Sequence, residues 1–297
     1  MKASDLFEKV TGDLVEAIEA GAKDWQMPWQ RLGSGGLPHS VDGRPYRGWN
    51  ALVLAMIAAE RGWSSTWATY RGWQRHDCQV RRGERGTQVV LWKPIEGNDG
   101  TEGDDPKTNR SMFARAFTVF AAEQVEGGEQ FTRQSHHLEP AQRIADAERY
   151  FQQIGADVAL GGDRACYVPA LDQIRLPHLE QFDQPATFYS TAAHEHTHWT
   201  GHASRLDRDL SGRFGDHAYG AEELVAELGA AFWCAQYGLD QATRHDHAAY
   251  LGDWLAILRS DARALVTACS KAQHAVDHLN ELAGWKHPAV EEAESAA

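Results

Sequence analysis

The chain has 297 residues, 42% hydrophobic and 24% charged, an ordinary globular composition long enough for two domains with cores of their own. No apolar run approaches a membrane span, and Cys78, Cys166, Cys234 and Cys269 form no CxxC pair, so a membrane protein and a disulfide scaffold are excluded. A soluble, cytoplasmic protein with reduced thiols is expected. The net charge of −13 argues at first sight against nucleic acid, but residues 38–93 hold nine basic and four acidic side chains. The acidity lies in the other half.

Residues 5–22 have the pattern of an amphipathic, charge-rich helix, unlike a signal peptide. "WQMPWQRLGSGGLP" follows as an irregular segment. Residues 48–61 carry apolar side chains at helical spacing, and "TWATYRGWQRHD" predicts a second short helix. "CQVRRGERGTQVVLW" and "MFARAFTVFAA" read as strands, separated by an acidic, Gly/Pro/Asn/Asp-rich loop, "PIEGNDGTEGDDPKTNRS".

Through this half aromatic and cationic residues interleave. Seven of the eleven tryptophans fall in the first 92 residues, and Tyr46, Trp49, Trp63, Trp67, Tyr70, Trp73 and Trp92 alternate with arginines. Cations for phosphates and flat rings for unpaired bases are the two ingredients of single-stranded DNA binding, with little sequence preference. Tyr46, Arg47, Asn50, Trp73, Arg81 and Arg82 are the candidate contacts.

"EGGEQFTRQSHHLEP" reads as a linker, so the expected division is a first domain over 1–127, a linker over 128–139, a second domain over 140–285 and a disordered tail over 286–297. The second domain opens with a helix near 140–154. "ACYVPALDQIRLP" follows as one or two strands turning near Pro169, and Pro185 introduces another helix. "ASRLDRDLSGRFGDH" separates that helix from a long one in "YGAEELVAELGAAFWCAQYGL", and residues 241–283 close the chain as one or two helices.

The chemistry concentrates in "TAAHEHTHWTGH". On a helix His194 and His198 lie one turn apart on one face, a spacing at which two imidazoles bind one zinc ion, with Glu195 as general base. A chain with 15 histidines can produce HExxH by accident, so a second signal is needed. Glu223 and Glu227 provide it, four apart on one face of the next helix. A catalytic zinc takes three protein ligands and an open position. Glu223 is expected as the third ligand, with Glu227 orienting a ligand histidine from behind. Glu222 is the fallback ligand. His202 would make a three-histidine site if the helix ran past Gly201. Tyr189, Tyr219 and His217 are alternatives for stabilising an oxyanion.

The pair of motifs resembles the gluzincin metallopeptidases. More narrowly, "YSTAAHEHTHWTGHASRLDR" followed by "YGAEELVAEL" resembles plasmid antirestriction proteins of the ArdC type. "GRPYRGWNALVL", "WATYRGW" and "VRRGERGTQVVLW" are similar to that family's single-stranded-DNA-binding domain, shared with TraC-type plasmid primases. Trp49 departs from the aliphatic residue usual there. The resemblance implies an α+β fold of two domains: an α+β DNA-binding domain, then a mainly helical zincin-like domain with a small sheet. In zincin folds a strand beside the active helix holds an extended peptide, for which residues 165–177 are the candidate.

The expected function is antirestriction: binding single-stranded DNA and protecting incoming plasmid DNA during conjugation, with one Zn2+ per chain, or another divalent metal such as Mn2+, in a metallopeptidase centre. A host protein is the candidate peptide substrate, and no membrane partner is expected. Two other readings are a non-catalytic coating protein with structural zinc and an acidic DNA mimic. A primase is weaker, since the second half is spent on a zincin.

Overall fold

The computed structural model describes residues 3–20, 36–94, 112–132, 140–210, 217–239 and 247–286. In the first lobe α1 (Ala3–Ala20) precedes a mixed sheet ordered β1-β2-β5-β4, built from β1 (His39–Ser40), β2 (Thr66–Thr69), β4 (Thr87–Pro94) and β5 (Met112–Ala121). β1 and β2 run parallel, and the other pairs are antiparallel. Helix α2 (Gly48–Arg61) covers one face, where Leu54 and Ala58 pack with Trp67, Val89, Val119 and Ala121. On the other side α3 (Tyr70–Gln74) and the ribbon of β3 (Gln79–Val80) with β6 (Val125–Glu126) enclose Trp73 with Ala68, Cys78 and Val125.

Two expectations change here. "TWATYRGWQRHD" is a strand followed by a helix, because β-branched and aromatic Thr66–Thr69 pairs with β5, and the Thr69 hydroxyl then caps α3 by accepting from the Gly72 N–H at 3.0 Å. The segment read as linker from residue 128 begins as a 3-10 turn, Gly128–Phe131, with the Phe131 ring 5.5 Å from Trp73. Most of the expected irregular segment and acidic loop, the rest of the linker and nearly all of the tail lie outside the described residues.

The second lobe contains α4 (Pro140–Ile154), a three-stranded sheet ordered β7-β9-β8, and then α5 (Pro185–Thr200), α6 (His217–Tyr237), α7 (His247–Ser260) and α8 (Ala264–Leu282). β7 (Asp157–Leu160), absent from the expected elements, pairs parallel to β9 (Gln173–Leu176), and β8 (Cys166–Val168) pairs antiparallel to β9 at the edge beside α5.

The lobes merge in one apolar core. Phe7 meets Trp49 edge to face at 5.3 Å, and α8 packs against both α2 and α6. Gly48, at φ 51°, brings its N–H to Gln273 Oε1 at 2.9 Å, a left-handed conformation that glycine adopts without the steric cost of a Cβ.

Candidate metal centre and nucleic-acid interface

Pro185 occupies the first turn of α5, where its missing N–H costs no helical bond, and the helix ends at Thr200. Its C-terminal half is buried nearly all round, histidines included, so its polar groups need partners from neighbouring elements. Helix α6 supplies them. A Cβ on Gly229 would lie 2.5 Å from Thr197 Oγ1 and 2.6 Å from its Cγ2, so glycine permits the close approach of α5 and α6.

That approach gathers four side chains. His194 Nε2 and His198 Nε2 stand 3.1 Å apart, and Glu223 places Oε2 3.5 Å from His194 Nε2 and Oε1 3.5 Å from His198 Nε2. For ligand bonds of about 2.1 Å, the edge of a coordination tetrahedron is about 3.4 Å. One ligand atom from each of the three residues lies within 4.8 Å of the others, close enough to share one divalent cation, and these three form the only such group found among the described residues. Glu227 Oε1 lies 3.5 Å from His194 Nδ1, the ring atom turned away from Glu223. Glu195 is buried on the same helix.

Two alternatives receive other roles. Glu222 accepts from His198 Nδ1 at 3.2 Å, on the side of the ring away from Glu223. His202 lies past the helix end, its Nδ1 2.8 Å from the Ser204 hydroxyl, outside that group. Of the oxyanion alternatives, Tyr189 is buried against Phe151 and Phe188, and Tyr219 is half-buried at the start of α6; the His217 side chain lies outside the described residues.

Sequence reasoning passed over Arg208. Its guanidinium is buried and donates to Glu222 Oε2 at 3.0 Å and Oε1 at 2.8 Å, to the Thr200 hydroxyl at 2.8 Å and to the Thr197 carbonyl at 2.6 Å. It clamps the end of α5 to α6. No spacing rule announces such a residue, which follows the helix in irregular chain.

The charges are mutually set. Burial opposes ionisation of Glu222, and His198 with Arg208 overcomes it, holding the carboxyl below its usual range. Burial likewise opposes charge on Glu223, and the two histidines drive its carboxyl well down. For His198 burial alone would lower the pKa, but Glu222 and Glu223 carry it up to about 10.

In the first lobe the expected contacts separate. Trp73 is 0% exposed and its indole donates to the Phe120 carbonyl at 2.9 Å, so it is a core residue with no face open to a base. Asn50 spends its amide on the main chain of Val90, donating at 2.8 Å and accepting at 2.8 Å, which ties α2 to β4. Tyr46 is half-buried, and exposed Arg47 pairs with Asp277 of α8. Arg81 pairs with Glu129 at 3.3 Å, and Arg82 is exposed. Tyr70, one of the interleaved aromatics but not a chosen contact, is 43% exposed, with its hydroxyl accepting from Gln79 beside exposed Arg71.

A metal-ready pair of helices with a small sheet, joined to an α+β lobe with exposed arginines, defines the class: a zincin-like metallopeptidase fold behind a second, non-peptidase domain. Residues 145–271 match the family of zincin-like metallopeptidases, and residues 4–120 match the N-terminal domain of the anti-restriction factor ArdC. The chain belongs to the ArdC-type antirestriction family. The metal-free crystal structure of the antirestriction protein ArdC from plasmid R388 is similar, with 36% identity and a TM-score of 0.77 over 95% of this chain and 99% of that one. Its Mn(II)-bound structure gives 34% identity and a TM-score of 0.74, covering 94% and 98%. The uncharacterized protein y4eC of Sinorhizobium fredii (strain NBRC 101917 / NGR234) is 42% identical over 98% of this chain and 94% of its own length. A DNA primase TraC of Escherichia coli is 35% identical over 92% of this chain, which spans only 27% of that primase.

Proposed function

We propose that this protein binds single-stranded DNA through its first lobe and hydrolyses peptide bonds at the centre between α5 and α6, and that it protects incoming plasmid DNA from host restriction during conjugation. The observation that carries the peptidase reading is the cluster of His194, His198 and Glu223, whose ligand atoms lie within 4.8 Å of one another with the two imidazole Nε2 atoms 3.1 Å apart.

A divalent cation there, Zn2+ or Mn2+, would supply a water of lowered pKa and polarise a peptide carbonyl. Glu195 takes the proton from the attacking water and delivers it to the departing amine. Glu227 and Glu222 hold the imidazoles in register from behind, and Arg208 keeps Glu222 ionised. Strand β8, at the sheet edge and beside α5, is suited to pair with an extended peptide, a host protein being the substrate envisaged. DNA binding is supported by the match to the ArdC N-terminal domain and by exposed Arg71, Arg82 and Tyr70. Among the described residues no helix is long and apolar enough to cross a membrane.

The test uses the parent and Glu195→Gln. The variant is expected to keep its metal and its affinity for an oligo-dT strand. Cleavage of an unfolded protein substrate should fall about a hundred- to ten-thousand-fold, and protection of a plasmid entering a restricting recipient should fall with it. Full protection without cleavage would favour a coating protein and remove catalysis from the role. Absence of cleavage in the metal-loaded parent, across unfolded substrates, would contradict the peptidase reading.

A further inference from the structure

A cleft of about 390 Å³ lies where the lobes meet, between the 37–47 segment and helices α6 and α8. Its accessible aromatic residues are the half-buried Tyr46 and Trp285, with buried Phe232 at its base. Its polar wall is already braced. Gln236 and Asn280 exchange amide hydrogen bonds at 3.2 and 2.8 Å, and the Tyr150 hydroxyl donates to Asn280 at 2.8 Å. Asp277 accepts from Gln273 at 3.0 Å and pairs with Arg47. A ligand would meet a preorganised surface with little side-chain entropy left to lose.

The charges facing the cleft are Asp277 and Glu281 against the single guanidinium of Arg47. The balance is −1, which disfavours a phosphate or sulfate inside. It suits a flat, neutral group that stacks on aromatic rings and offers N–H donors to carboxylates. The volume lies within the range of small-molecule pockets, and a domain junction is a usual place for one. An unpaired nucleobase has this shape and chemistry. Paired bases in a duplex present neither face to such a cleft.

We propose that the interlobe cleft takes one unpaired nucleobase of the bound strand, guanine in preference to thymine. Guanine presents two parallel donors, N1–H and the 2-amino group, to the carboxylate of Glu281, whereas thymine has a single ring N–H; the two oxygens of Asp277 are already engaged by Gln273 and Arg47. Arg47, exposed at the rim, faces the phosphate beside that nucleotide. This inference rests on the single-stranded-DNA reading above and replaces uniform sequence tolerance with one discriminating position.

Two measurements on the full chain test it. In fluorescence anisotropy, a dT strand carrying one central dG should bind about fivefold more tightly than the all-dT strand of equal length. Glu281→Gln, an exposed position, should reduce that ratio with an unchanged thermal midpoint. A dT strand carrying one 6-thioguanine, irradiated and mapped by mass spectrometry, should crosslink to the peptide containing Tyr46 or Trp285. Binding of both strands with no dG preference, and crosslinks only outside the cleft, overturns the pocket and leaves the DNA reading standing. Failure of every strand to bind overturns both.

Discussion

The metal centre and the arginine-rich surface of the first lobe spend their charges in opposite ways. Between α5 and α6, His194, Glu195, Glu222, Glu223, Glu227 and Arg208 are buried, and ionic partners there reach across elements. On the first lobe Arg71, Arg82 and Arg85 are exposed. A buried ionic site must have defined partners, because an unpaired charge in a low-dielectric interior is costly. A solvated cation meets no such demand, and its role depends on what arrives from outside. Function in the two regions should therefore respond differently to the same kind of substitution.

The largest difference is expected at Arg208. Replacing it with Met leaves Glu222 buried without the Arg208 guanidinium, at a cost of about 3–5 kcal/mol in chemical denaturation, with metal affinity weakened about 10- to 100-fold. Arg82→Ala should leave the denaturation midpoint in place. Equal effects at the two arginines would break the contrast.

The second expectation separates ring from surface within the first lobe. Trp73→Ala should cost about 3–5 kcal/mol as a core truncation, lowering DNA binding only through loss of fold.

A third concerns pH. Burial holds the His196 pKa down at about 4, opposed only in part by its bond to the Ala192 carbonyl at 2.7 Å. The unfolded chain takes up this proton near pH 6.5 and the folded chain near 4, so stability is fully present above 6.5 and is lost as pH falls towards 4. The loss is up to about 3 kcal/mol. In metal-free protein, the profile of His196→Phe should be flatter than the parent's over that interval.

The smallest effect is on salt dependence. Arg82→Ala should weaken binding to dT strands and flatten the plot of log affinity against log salt by about 0.7. An unchanged slope would remove Arg82 from the phosphate contacts.

Legibility followed the same division. The cluster of His194, His198 and Glu223 was readable because a helix converts a four-residue interval into one face, so His194/His198 and Glu223/Glu227 each announce a shared direction. Helix α2, from Gly48 to Arg61, matched its apolar spacing over the full 48–61 interval. Arg208 and its contacts with Glu222 were not readable, since they depend on how irregular chain after Thr200 folds back onto α6. Nor does composition distinguish a stacking ring from a core ring. Trp73 and Tyr70 belong to the same short helix, yet one is enclosed and the other exposed. Strand β7 was missed because its residues lie at a sheet edge, largely exposed, with little apolar alternation. The merging of the lobes through α8 involves pairs such as Gly48 and Gln273, 225 positions apart, for which a single sequence has no signal.

The most direct test is calorimetric titration of Zn2+ and Mn2+ into metal-free parent, Glu223→Ala and Glu222→Ala, with bound metal counted after dialysis. The parent should take up one equivalent. Glu223→Ala should retain none after dialysis, and Glu222→Ala should still bind, about 10- to 100-fold more weakly. One equivalent held by Glu223→Ala with the parent's affinity would contradict the assignment of the third ligand, and with it the peptidase centre.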